Sequence, residues 1–171
     1  PQRKTIVVVS PRILLAQQHC DEFEEWMGLH PMLQRQILHV HSGDTSYEST
    51  TNSDRIREWY SEQYRFNKLI FTTYHSLHRI QESGINVDTI YFDEAHNSVK
   101  RHFHPATRFY ASVGNVRCYF FTATPKHSSS DEISGMNNEY VYGKVLEQVP
   151  APELVDNDII LPPKVVVKEL D

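Results

Sequence analysis

Thr89-Ile90-Tyr91-Phe92-Asp93-Glu94-Ala95-His96 decides the reading of this chain: four strand-forming residues run straight into two adjacent carboxylates, a small residue and an imidazole. In an open parallel sheet ligands bind beyond the carboxyl ends of the strands, so polar side chains directly after an apolar strand are where chemistry is expected. Adjacent carboxylates at such a tip can divide the two tasks of nucleotide hydrolysis. Asp93 would hold Mg²⁺, commonly through water, and Glu94 would orient and deprotonate the attacking water. An isolated acidic pair is by itself an ordinary helix-starting turn, because carboxylates are favoured near helix N-termini. The tetrapeptide is rarer: at about one in twenty per position, a chain of this size contains it by accident on the order of once in a thousand.

A second strand end lies roughly thirty residues further on. There Cys118-Tyr119-Phe120-Phe121 runs into Thr122-Ala123-Thr124-Pro125. Small hydroxyl residues at that tip can hydrogen-bond across the sheet to His96. A Thr-rich strand end alone is an ordinary turn start. The two motifs in this order carry more than either does separately.

Outward from these motifs the chain alternates. Strands are expected at residues 5–9, 36–40, 68–72, 89–92 and 117–121, and helices at 13–26, 54–64 and 76–82. Residues 42–53 form a polar, turn-rich stretch, and 126–138 read as a mobile loop or short helix. Short apolar strands separated by helical segments imply an α/β domain whose mainly parallel sheet is covered on both faces. With 171 residues, 39% of them apolar, one compact domain is expected.

Composition excludes several classes. No apolar run approaches the roughly twenty residues that cross a bilayer, so no membrane partner and a soluble, intracellular chain are expected. Cys20 and Cys118 have neither metal-ligand spacing nor the density of a disulfide scaffold, which leaves packing as their role. A net charge of −5 argues against a nonspecific nucleic-acid coat, though not against a local binding face. No Gly-x-Ser-x-Gly turn is present, which excludes serine catalysis of the nucleophile-elbow type. Strand alternation puts His39 and His41 on one face, and His96, His102 and His104 lie close in sequence, but no Cys or acidic pair completes a familiar metal set. Phe103, Phe109 and Tyr110, interleaved with Arg101, His102, His104 and Arg108, are either a base-stacking surface or ordinary partly buried aromatics.

With both motifs in place, the chain resembles the superfamily-two helicases over nearly its whole length. It is most similar to their DEAH-type branch of phage, viral and restriction-enzyme motor subunits. The resemblance implies a three-layer, RecA-like first motor domain that uses ATP and Mg²⁺ to move on nucleic acid. It gives Asp93 (the metal contact), Glu94 and His96 catalytic roles, and Thr122 and Thr124 a coupling role. The stretch from Val7 to Gln18 is similar to the family's strand-to-helix segment, whose tip contacts the nucleic-acid backbone; Ser10, Arg12 and the helix-start amides suit a phosphate. Phe71-Thr72-Thr73-Tyr74-His75-Ser76-Leu77 resembles the next backbone-contacting motif, with Thr72 and Thr73 at its centre, and Ser42-Gly43 is a weaker third contact. Asn97 after the box looks like the phage and restriction branch, which favours DNA over RNA.

The same resemblance exposes departures. The family's phosphate loop, rich in Gly and ending in Lys and Ser or Thr, does not occur here; Gly143-Lys144 is followed by Val145 and has no glycine five residues earlier. Residues 1–155 are therefore expected to be the first motor domain, truncated at its N-terminus. Residues 156–171 would be a connector and the start of a missing second motor domain, which carries the arginine fingers. The expected function is an ATP-dependent helicase or translocase whose isolated fragment is nearly inactive. The alternative is a non-catalytic nucleic-acid- or protein-binding remnant.

Overall fold

The computed structural model describes residues 3–130 and 133–147. The expected boundary at 155/156 and the connector beyond it lie outside the described residues. The chain runs β1 (Thr5–Ser10), α1 (Ile13–Met27), β2 (Arg35–Val40), β3 (Glu48–Ser49), α2 (Ser53–Ser61), β4 (Asn67–Thr73) and α3 (Leu77–Ser83). It continues through β5 (Thr89–Phe92), a 3₁₀ turn (Ala95–Val99), α4 (His104–Ser112), β6 (Arg117–Phe120) and α5 (Glu139–Tyr142). The strands form one sheet in the order β3-β2-β4-β1-β5-β6, and every neighbouring pair is parallel.

Sequence explains the centre of this sheet. Strands β1 and β4 are buried on both faces, and both read as nearly unbroken apolar runs because neither side meets water. Val7, Val9, Leu38, Val40, Ile70, Ile90 and Phe92 point to one face, where Ile56 and Trp59 of α2, Leu77 and Ile80 of α3, and Ala106 and Tyr110 of α4 close over them. Each such aliphatic side chain, fully buried, contributes roughly 1.5–3 kcal/mol. On the other face Ile6, Val8, Leu69 and Phe71 meet Ala16, Cys20 and Phe23 of α1, whose spacing of four and three residues lays one helical stripe on the sheet.

Helix ends follow from single residues. Asn52 caps α2 by accepting the Arg55 amide at 3.0 Å. At the other end of α2 the buried Lys68 ammonium bonds the carbonyl of Glu62 and the side chain of Gln36, with its charge 5.0 Å from the Trp59 ring centre. Gly84 ends α3 with φ of +69°, a conformation glycine adopts without Cβ penalty. Pro105 starts α4, where its missing N–H costs nothing.

The structure differs from the sequence reading at the margins. The polar stretch 42–53 contains the two-residue edge strand β3, too short and too exposed to leave an alternation signal. Helix α2 stops at Ser61 rather than at 64, and α4 stands where the sequence reading places no element. Described residues of the 126–138 stretch form turns held by Asn137, which bonds both the amide and the carbonyl of Ser128 at 2.8 and 2.7 Å. Tyr110 is buried in the core and Phe103 packs, partly buried, against it; of that trio only Phe109 is exposed. No described helix is long and apolar enough to cross a membrane.

Candidate active site

Because every strand runs the same way, all carboxyl ends reach one rim, and the register fixes who stands beside whom. Val40, Thr72, Val9, Phe92 and Phe120 form one row across the sheet. One residue further along each strand stand His41, Thr73, Ser10, Asp93 and Phe121. Ser10, Thr73 and the carboxylates, chosen from separate stretches of sequence, are thus neighbours on a single edge.

The turn after β5 is sharp. The Asp93 amide still bonds Val9 across the sheet at 2.9 Å. Glu94 then takes the left-handed conformation, φ 47° and ψ 52°, which a residue other than glycine holds only when its surroundings fix it. The surroundings do so: the Glu94 amide donates to Asp93 Oδ1 at 3.0 Å, and the next amide, Ala95, donates to the Phe121 carbonyl at 2.8 Å. That last bond ties the carboxylate turn to the strand that carries the Thr motif.

His96 joins the two motifs through its side chain. Its Nδ1 lies 2.9 Å from Thr122 Oγ1, 3.2 Å from Thr124 Oγ1 and 3.5 Å from Glu94 Oε2. The Asn97 amide nitrogen lies 3.4 Å from His96 Nε2 and donates to the Glu94 carbonyl at 2.9 Å. With Asn97 on one ring nitrogen and the threonine hydroxyls on the other, the His96 ring is fixed from both sides. Thr122 Oγ1 also accepts the Thr124 amide at 3.1 Å, which holds the 122–124 bend in shape.

Two residues outside the sequence-predicted set reach Asp93. His19 of α1 places Nε2 at 2.8 Å from Asp93 Oδ2, and the Tyr74 hydroxyl donates to the Asp93 carbonyl at 2.6 Å. The available signal for His19 was its place three residues from Ala16, on the margin of the stripe that α1 buries. Both Asp93 oxygens thus already accept a bond, yet each keeps a lone pair. Among the described residues no three His, Cys, Asp or Glu side chains gather around one point. The described residues alone therefore build no metal cage. What Asp93 can offer is one hard oxygen ligand to a cation whose other ligands are water and phosphate, and that fits Mg²⁺.

The residues expected to meet nucleic acid divide. Arg12 and Ser42 are exposed, and Arg12 stands at the N-cap of α1 with no side chain capping the helix, so its first amides are free to meet an anion. The Ser10 hydroxyl is buried without a hydrogen-bond partner. Gly43 sits against the start of α1, its amide donating to His41 Nδ1 at 3.1 Å. Thr73 is buried at the rim, and Thr72 gives its hydroxyl to the Val40 carbonyl at 2.7 Å, a bond that serves the sheet.

No curated protein matches the chain. Among solved structures it is similar to a nuclease-deletion mutant of the Type ISP restriction-modification enzyme LlaGI in complex with a DNA substrate mimic. The two are 26% identical with a TM-score of 0.69, and the match covers 92% of this chain and 14% of that one. The chain thus corresponds to a small part of that enzyme's length, and its fold is RecA-like. The model of the DEAD/DEAH box helicase family matches residues 1–133, and the chain belongs to that family.

Proposed function

We propose that this chain is the carboxylate-bearing part of an ATP-driven motor that moves on DNA, with Glu94 as the base that activates water. The observation that carries the reading is His96: its ring bonds Thr122 and Thr124 and lies beside Glu94, so the hydrolytic carboxylate and the second motif form one connected unit. Asp93 would hold Mg²⁺, whose contribution when bound is to neutralise charge on the transferring phosphate. Glu94 accepts a proton from water, and the fixed His96 keeps its carboxylate directed. The uncapped start of α1 beside the exposed Arg12 suits a backbone phosphate, and the DNA-bound similar enzyme favours DNA. Strand separation and translocation without unwinding would use the same residues.

No Gly-rich loop ending in Lys and Ser or Thr occurs in this sequence, and by the family resemblance the arginine fingers, which alone supply about 10³–10⁵ in rate, belong to a second motor domain. The isolated chain is expected to turn over ATP at background level, and Glu94→Gln is expected to leave that background unchanged. In the full-length polypeptide, Glu94→Gln should lower DNA-stimulated ATP hydrolysis by about 10²-fold or more while DNA binding persists. A Gln variant that hydrolyses ATP at the wild-type rate would remove Glu94 from the chemistry. It would leave the non-catalytic binding remnant as the better account.

A further inference from the structure

Tyr74 follows Thr73 at the end of β4 and is only 2% exposed. Its backbone amide donates to the Ser10 carbonyl at 3.2 Å, and its hydroxyl donates to the Asp93 carbonyl at 2.6 Å. The ring stacks between Phe92 and Phe103, with centroids 6.3 and 5.8 Å away. Burial is the main cause that pushes its phenol well above the ordinary value, so the hydroxyl remains a donor at any working pH. One residue therefore links three strand tips: β4, whose end it continues, β1 through its backbone amide on Ser10, and β5 through its hydroxyl on Asp93.

The Asp93 carbonyl belongs to the peptide that leads into Glu94. Tyr74 holds the oxygen of that peptide and Asp93 Oδ1 holds its N–H. Rotation of this peptide changes where the Glu94 side chain points, because Glu94 sits in a left-handed conformation that depends on these bonds. A tyrosine has two soft torsions, and packing between two aromatic rings restrains both. Displacement of the β4 tip is then passed to the peptide rather than absorbed by the side chain.

We propose that Tyr74 is the positioning residue that couples nucleic-acid engagement at the tips of β1 and β4, where Arg12 is exposed, to the orientation of Glu94, through its hydroxyl bond to the Asp93 carbonyl. This rests on the motor reading above. Coupling of this kind is a difference between two states of the Asp93–Glu94 peptide, one favoured when the rim is occupied and one when it is free.

The test compares the full-length polypeptide with its Tyr74→Phe variant, measuring ATP turnover with and without a DNA duplex and the DNA concentration giving half-maximal stimulation. Phe keeps the ring and its stacking and removes only the hydroxyl. The expected result is a stimulated-to-basal ratio lowered about three- to ten-fold, the effect of one lost hydrogen bond, with half-maximal DNA changed less than about two-fold. Ile80→Val, which loosens the same core without touching the bond, should leave the ratio unchanged. The proposal is overturned if Tyr74→Phe is stimulated as fully as wild type, or if Ile80→Val lowers the ratio as much. Wild type that no DNA stimulates would overturn the motor reading and this role together, and that outcome is read before any variant is made.

Discussion

At Gly43 the rim leaves no room for a side chain. A Cβ there would lie 2.4 Å from Ile13 Cγ2 and 3.2 Å from His41 Nδ1, far inside ordinary contact distance. Ile13 cannot swing this methyl away freely, because β-branching restricts its first torsion. Gly43→Ala is therefore expected to cost about 1–3 kcal/mol of stability, the usual size of overpacking. Introduced into an Ile13→Ala background, where the clashing methyl is gone, the same change should cost at least about 1 kcal/mol less. Urea unfolding of the four proteins in the cycle measures this; strictly additive effects would mean that the clash with Ile13 is not the reason for glycine. At this scale the sequence was legible where chemistry is written in consecutive residues, as with Asp93 to His96 and Thr122 to Thr124. It was not legible where a contact closes over long separations: His19 and Asp93 are 74 positions apart, and Tyr74 and Asp93 are 19 apart. His19 carries only the weak signal of its place on the margin of the buried α1 stripe, and Tyr74 reads as one more aromatic at a strand end.

Strand β2 carries a buried histidine pair that makes the fold sensitive to acid. His39 Nδ1 and His41 Nε2 are 2.9 Å apart, and His41 Nδ1 accepts the Gly43 amide, so His41 must donate to His39. His39 is also sandwiched by Tyr47 and Phe71. Burial, then the neighbouring His41, lower the His39 pKa to about 4, and burial lowers that of His41 as well. Both rings are neutral in the fold, whereas in the unfolded chain they take up a proton below about 6.5. The unfolded state thus binds more protons, and stability present above pH 6.5 is lost as pH falls toward 4. The loss attributable to His39 is on the order of 3 kcal/mol. Urea midpoints between pH 7.5 and 5 should fall steeply for wild type and less steeply for His39→Phe, whose ring can keep the stack; equal slopes would show that the pair does not titrate on unfolding. Element by element, strands β1 and β4 were readable because burial on both faces leaves a nearly unbroken apolar run, and β5 because four strand-forming residues lead straight into the carboxylates. Edge strand β3 and the end of α2 were not, since neither buries enough side chains to impose a period.

Across the whole molecule the two sheet faces are covered unequally. Helices α2, α3 and α4 close one face, while α1 lies only over the β2, β4 and β1 side of the other. Among the described residues nothing covers that face at β5 and β6, where Tyr91 is 38% and Phe121 55% exposed and both stack in a row with Tyr119. The gap continues toward α1 as a groove of about 460 Å³ lined by Ile6, Val8, Phe23 and Phe121. Beside it, β6 is an edge strand whose outer backbone groups have no strand neighbour among the described residues. An aromatic face next to an open edge is the arrangement that promotes association of chains. The isolated chain is therefore expected to self-associate as its concentration rises. Replacing Tyr119 and Phe121 together by Thr keeps strand-forming side chains while removing most of the exposed aromatic area. Light scattering should then show a smaller concentration dependence than wild type, with the urea midpoint changed by less than the equivalent of about 1 kcal/mol, because Phe121 is mostly solvated already. If the doubly substituted chain scatters like wild type, association does not run through this face. If it unfolds much earlier, the row of rings stabilises the sheet itself and is not merely exposed upon it.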